Sequence, residues 1–201
     1  MTETMEFGPI DVLFDDRVLR PRPWTLAQSH WAAELAESAP AGPILELCSG
    51  AGHIGLAAAL ESRRDLVMVD ANPRACELSR FNARAAGVTA EIIEGRLETA
   101  LAPDRLFGVI IADPPWVRTT EISTFPEDPV LAIDGGPDGL ALARACLAVI
   151  GDHLAPGGAG VLQVGSVDQV TDLAGDVSAA GLRVAGTRTE ERGVLVHLTH
   201  A

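Results

Sequence analysis

Hydrophobic positions along the chain fall into short apolar runs that alternate with longer helical patterns. The runs cover residues 44–48, 66–69, 90–93, 107–112, 160–164, 182–186 and 194–200. Helical patterns fill most of the gaps, over 53–61, 73–86, 140–153 and 168–180. Strands spaced by such helices predict βαβ units and a parallel sheet. The run FGVIIA at 107–112 has no charged or polar break, as expected for a strand covered on both faces. The last two runs are joined only by 187–193, too short for a crossover, and so predict an antiparallel hairpin. The expectation is an α/β fold with a seven-stranded, mainly parallel sheet closed by an antiparallel C-terminal hairpin.

Ahead of this alternation, residues 10–20 are apolar but broken by Asp15 and Asp16, and read as a β-hairpin or two short extended pieces. Pro21 and Pro23 hold the backbone extended around Arg22. Thr25 is the expected N-cap of a helix reaching Ala39, which Gly42-Pro43 closes. Residues 117–137 form a long irregular stretch. No repeat, low-complexity tract or linker divides the chain. Residues 1–201 are therefore read as one domain, with 1–43 an N-terminal extension on a core of 44–201.

Composition narrows the function classes. The 201 residues carry a formal net charge of −13, and all 15 basic residues are arginines. Such a chain gains little of the counterion release that drives general nucleic-acid binding, so a nucleic-acid partner ranks below a protein or small molecule. Cys48, Cys76 and Cys146 form no CxxC pair and no metal-ligand set, and read as reduced thiols in a cytoplasmic protein. The N-terminus lacks an apolar signal segment, and no apolar run is long enough to span a bilayer. Trp24 and Trp31, if exposed, offer a dimer surface, leaving monomer and homodimer both open.

Residues 44–55 read ILELCSGAGHIG. Gly50, Gly52 and Gly55 satisfy GxGxxG between a strand and a helix, and Asp70 follows at the end of the next strand. Glycines let the backbone turn sharply toward a nucleoside ligand, and a carboxylate after the second strand accepts hydrogen bonds from ribose hydroxyls. Alone, this pattern suits NAD and S-adenosylmethionine equally. Glu46, four residues before Gly50, tilts the balance: a carboxylate there repels a pyrophosphate but suits a cationic methionine end. Cys48 and Ser49 contribute backbone to the loop, with no nucleophile role for Cys48.

Asp113-Pro114-Pro115-Trp116 follows FGVIIA directly, at the strand end where open α/β sheets bind ligands. Two prolines stiffen the backbone and remove N–H donors, leaving carbonyl acceptors beside a carboxylate. Acceptors of this kind hold the hydrogens of a planar NH₂ group while Trp116 stacks on it. Asp113 and the Pro114 carbonyl are the expected acceptors, and methyl transfer becomes a matter of positioning and electrostatics.

With these residues in place, the chain resembles the HemK/PrmC-type methyltransferases, which modify a glutamine side-chain amide in peptide-chain release factors. The resemblance spans about 12–164 and rests on VLRPRPWT (18–25), ELCSGAGHIGLA (46–57), VDANPRACELSRFNA (69–83), DPPW (113–116, against NPPY) and LAIDGGPDGL (131–140). It implies a Rossmann-like class I methyltransferase that uses S-adenosylmethionine and releases S-adenosylhomocysteine. By the same resemblance Glu46, Cys48, Ser49, Gly50, Ala51, Gly52, Asp70, Ala71, Gly95, Arg96, Leu97 and Asp113 hold the cofactor, and Asp113 to Trp116 hold the acceptor.

Three departures bear on the acceptor. Asp113 replaces the family's asparagine, and an ionised aspartate only accepts hydrogen bonds, which matches an amine better than an amide. Arg96 stands where the family has an acidic residue near the cofactor adenine. Trp24 replaces the acidic residue of the PRPET segment, and the family's separate N-terminal recognition domain has no counterpart here. Two alternatives follow: a nucleic-acid amine methyltransferase, marked by an arginine-rich surface around the DPPW cleft, and a non-catalytic cofactor- or partner-binding module. Among other residues, His53 reads as a partly exposed helix-start histidine, and His30 and His153 as surface or helix-end residues. Arg118 stays undecided. Glu121, Glu127 and Asp128 read as a solvated acidic loop, with a lid over the acceptor as the second reading.

Overall fold

The structure, a computed structural model, describes residues 1–201. Strands β1 (Glu3–Phe7) and β2 (Ile10–Phe14) form an antiparallel hairpin that turns at Gly8, where φ is +54°. The hairpin begins earlier than 10–20 because Phe7, Ile10, Val12 and Phe14 all bury into one core. After a single 3₁₀ turn at Pro23–Thr25 comes helix α1 (Leu26–Ala36). Thr25 is not the expected side-chain cap. Its backbone is already helical, and its hydroxyl donates backward to the Arg22 carbonyl at 2.8 Å. The helix stops at Ala36 rather than Ala39, where Arg64 gathers the carbonyls of Ala36, Ala39 and Pro40.

The alternation predicted from the pattern then appears as β3 (Ile44–Leu47), α2 (His53–Ser62), β4 (Leu66–Asp70), α3 (Pro73–Ala86), β5 (Ala90–Glu94) and β6 (Phe107–Ala112). It continues through α4 (Val130–Ile133), α5 (Ala141–His153), β7 (Leu154–Val164), α6 (Val167–Asp172), α7 (Ala174–Ala179), β8 (Leu182–Thr189) and β9 (Val194–His200). The seven-stranded sheet has the order β5-β4-β3-β6-β7-β9-β8, with β9 antiparallel to both neighbours and every other pair parallel. This is the class I methyltransferase fold expected from the sequence. The strands run outward from β3 to β5 on one side and from β6 onward on the other. This switch in strand order between the parallel β3 and β6 opens a crevice at their C-terminal ends.

Two elements depart from the pattern. The segment read as one helix over 168–180 is two short helices that meet at Leu173. The break lets Gln169 face Trp116 while Leu173 and Val177 enter the core. Strand β7 starts at Leu154, and Pro156-Gly157-Gly158 is a bulge within it, where the register against β6 shifts. Gly158 sits there because a side chain would strike the Gly108 carbonyl.

The sheet is covered on both faces. Val12, Trp31, Ile54 and Leu78 belong to one buried layer, made by the hairpin and α1 to α3. Leu147, Ile150, Leu173 and Val177 belong to the other, made by α5 to α7. Trp31 is only 6% exposed and lies under Arg188, so it presents no dimer surface. No helix is long and apolar enough to cross a membrane.

Candidate functional site

The turn after β3 is drawn tightly against the end of β4. Cys48 and Gly50 take left-handed backbone, with φ of +57° and +54°. The Gly50 N–H donates to Asp70 Oδ2 at 2.7 Å, and the Asn72 N–H donates to Oδ1 at 2.8 Å. Ser79 and Asn82 on α3 brace the loop from behind, donating to the carbonyls of Gly50 (2.8 Å) and Ala51 (2.9 Å). At Gly52, φ is +81° and a side chain would run into the Met68 sulfur, so only glycine admits this approach of loop to sheet. Ser49 and Ala51 are buried, and Ala71 is exposed beside Asp70. The Gly95 N–H donates to the Asp70 carbonyl, which brings the end of β5 to the same edge; Leu97 packs into the core. Arg96 points away: its side chain is 80% exposed and pairs with Glu98.

Three carboxylates converge beneath and beside this loop. Glu46, 2% exposed on β3, packs against the backbone of Gly55 and leaves Oε2 without a hydrogen-bond partner. Burial raises its pKa to about 8; a Gly55 backbone hydrogen bond opposes this, and the Asp113 and Asp70 charges add to it. Burial likewise raises Asp70, against hydrogen bonds from Asn72, Gly50 and Ala71. Asp113, half-buried at the end of β6, is raised to about 7 by burial. Cys48 and Cys146, 98 residues apart, bring their sulfurs to 4.0 Å. That hydrogen bond, followed by burial, holds the Cys48 thiol well above its ordinary pKa.

Asp113 to Trp116 line a cleft of about 250 Å³ on the other side of β6 from the glycine loop. Its opposite wall is the PRPW segment, Arg22, Trp24 and Thr25, with Phe125, Glu127, Asp128 and Arg192 around the mouth. Trp116 is held from three sides. Gln169 donates to its carbonyl at 3.1 Å, its ring lies against Gly165, and its carbonyl leaves no room for a side chain at Gly139. The IDGG stretch pairs with the chain leaving the motif, through Val117 N–H to Ile133 carbonyl (3.0 Å) and Gly135 N–H to Val117 carbonyl (2.8 Å).

Several residues depart from their expected roles. Asp128 is not solvated: it receives Arg22 through both oxygens at 2.6 and 2.7 Å, and its side chain is 7% exposed. That pair pins the segment beyond DPPW to the PRPW wall, while Glu121, Glu127 and Arg118 remain exposed. His53 is buried against the Phe7 ring, not partly exposed, and burial lowers its pKa to about 3. His153 is also buried at its helix end and contacts the Arg105 carbonyl at 2.7 Å. His30 is exposed and pairs with Glu61. Sequence reasoning missed Gln28, fully buried on α1, which donates to the carbonyls of Ala112 and Val161 at 3.0 Å each. It also missed Gln169; neither glutamine stands in a motif or breaks a pattern.

Comparison with known proteins identifies the family and the fold. Residues 29–126 match the Methyltransferase small domain family. The release factor glutamine methyltransferase of Deinococcus radiodurans is 33% identical over 96% of this chain and 68% of its own length. Its counterpart in Geobacter sulfurreducens is 30% identical over 95% and 68%. Among solved structures, a methyltransferase from Pyrococcus furiosus superposes with a TM-score of 0.71 at 16% identity, over 96% of this chain and 91% of that one. The chain therefore belongs to the HemK/PrmC-type release factor glutamine methyltransferase family, and is a methyltransferase dependent on S-adenosylmethionine.

Proposed function

We propose that this enzyme methylates the side-chain amide nitrogen of a glutamine in a protein, with a peptide-chain release factor as the acceptor. The supporting observation is the placement of Asp113-Pro114-Pro115-Trp116 in a cleft one strand away from the glycine loop. In this reading the Cys48–Gly52 backbone and buried Glu46 face the methionine end of S-adenosylmethionine. Asp70 takes the ribose, and Ala71 with Gly95 to Leu97 border the adenine. The exposed Arg96 side chain leaves the adenine contact to backbone and to Leu97.

The cofactor supplies a methyl group on a positively charged sulfur. The chain's own residues position the acceptor: the Pro114 carbonyl and Asp113 take the amide hydrogens, and Trp116 covers its flat face. Held this way, the amide nitrogen would present its lone pair to the methyl group that the bound cofactor would supply. The nitrogen then releases one proton to water. Geometry of this kind accelerates transfer by orientation rather than by a basic group.

A nucleic-acid amine is the second reading, motivated by the aspartate of DPPW. The cleft argues against it: Arg22 is neutralised by Asp128, and Arg192, over the Trp24 ring, shares the cleft with the acidic Asp113 and Glu127. The deciding experiment incubates the protein with S-adenosylmethionine and a purified bacterial release factor, and locates the methyl group by peptide mass spectrometry. A methylated glutamine is expected. An unmodified release factor alongside a methylated adenine oligonucleotide would reverse the ranking.

A further inference from the structure

A primary amide presents both N–H donors and a carbonyl acceptor, whereas an ionised carboxylate can only accept. The surroundings of Asp113 bear on this mismatch. Its carboxyl has no hydrogen-bond or ion-pair partner in the protein. Its titratable neighbours on the glycine-loop side are Glu46 on β3 and the Cys48 thiol, neither of them a cation. Across the cleft, Arg22 is taken by Asp128, and Arg192 lies over the Trp24 ring beside Glu127. No hydrogen bond or ion pair ties a cation to Asp113, and burial opposes its ionisation.

We infer that Asp113 meets the acceptor as the neutral acid, its O–H donating to the amide carbonyl while its own carbonyl accepts an N–H of the same amide. This inference rests on the glutamine reading and deepens it. The pairing is planar and cyclic, fixes the amide in one orientation, and is closed to an alkyl amine, which has no acceptor beside its N–H. Asp113 stays neutral throughout the transfer, since the amide proton leaves to water. Burial already places Asp113 near the titration range the pairing needs, at about 7. The cofactor's positive sulfur favours ionisation, and exclusion of water by the bound acceptor opposes it.

The test follows kcat/KM for a release factor at saturating S-adenosylmethionine across the neutral range, for the wild type and Asp113→Asn. Wild-type activity is expected to fall as pH rises through the Asp113 titration, approaching about tenfold per pH unit. Asp113→Asn, which keeps a donor and an acceptor at every pH, is expected to lose that fall and to exceed the wild type by about tenfold at high pH. Carboxyl ¹³C NMR of the S-adenosylhomocysteine complex should show a neutral carboxyl, missing in the variant, that titrates over the same range. A wild-type rate that is flat or rises with pH, with an inactive Asp113→Asn, would overturn the inference and leave glutamine methylation standing. Absence of glutamine methylation by either protein at every pH would remove both.

Discussion

The Asp70 carboxylate and the Gly50 amide, 20 residues apart, are joined by a 2.7 Å hydrogen bond across the ends of β3 and β4. The group proposed to hold the ribose therefore also sets the curvature of the glycine loop. Asp70→Ala removes both functions. It is expected to weaken S-adenosylhomocysteine binding by about 10- to 100-fold in calorimetric titration, the scale of charge-assisted hydrogen bonds. Undiminished binding would show that the loop stands without this carboxylate.

Glu46 sets a stability cost within the site. Its folded pKa of about 8 lies above the unfolded value of 4.5, so the native protein retains a proton that the unfolded chain releases. The stabilisation is complete below pH 4.5 and is lost as pH rises toward 8. The loss reaches about 3 kcal/mol at pH 7. Glu46→Gln should unfold at higher urea concentration than the wild type near pH 8, and the gap should close toward pH 4.5. Cofactor affinity is expected to fall in the same variant.

His53 acts at the acid end. The unfolded histidine takes a proton near pH 6.5, while the buried one refuses it down to about pH 3. Its contribution is full above pH 6.5 and declines as pH falls, by about 2 kcal/mol at pH 5. His53→Gln should show a smaller drop in urea midpoint between pH 7 and pH 5. Equal drops in the two proteins would mean that His53 is protonated in the fold.

Gly165 supports the Trp116 ring by having no side chain. Gly165→Ala displaces that ring without touching the glycine loop. A misplaced stacking surface is expected to cost about 10- to 100-fold in acceptor kcat/KM. S-adenosylhomocysteine affinity should stay at the wild-type level, and a parallel loss there would place Trp116 in the cofactor site instead.

The sheet was legible because its strands are short apolar runs and its crossovers are long. Both DPPW and the glycine loop could be placed because each follows a strand directly. What the pattern concealed were side chains whose partners are distant in sequence. Asp128 reads as one acid in a polar loop until Arg22, 106 residues away, closes on it. The 168–180 helix hides its break because no glycine or proline stands at Leu173. His53 looks exposed at the start of a helix, and only the hairpin carrying Phe7 covers it.

Gln28 ties these layers together in a way that bears on how the enzyme can be cut. One amide on α1 joins the last carbonyl of β6 to the Val161 carbonyl within β7, and the Ala112 carbonyl precedes Asp113 directly. The family match begins at residue 29, one position too late to include it. A polypeptide trimmed to that boundary keeps the glycine loop, Asp70 and DPPW but loses the VLRPRPWT segment and its wall of the cleft. It also leaves the Ala112 and Val161 carbonyls without the Gln28 amide that they share. The N-terminal extension is thus part of the fold that holds DPPW in place, and not an appendage to it.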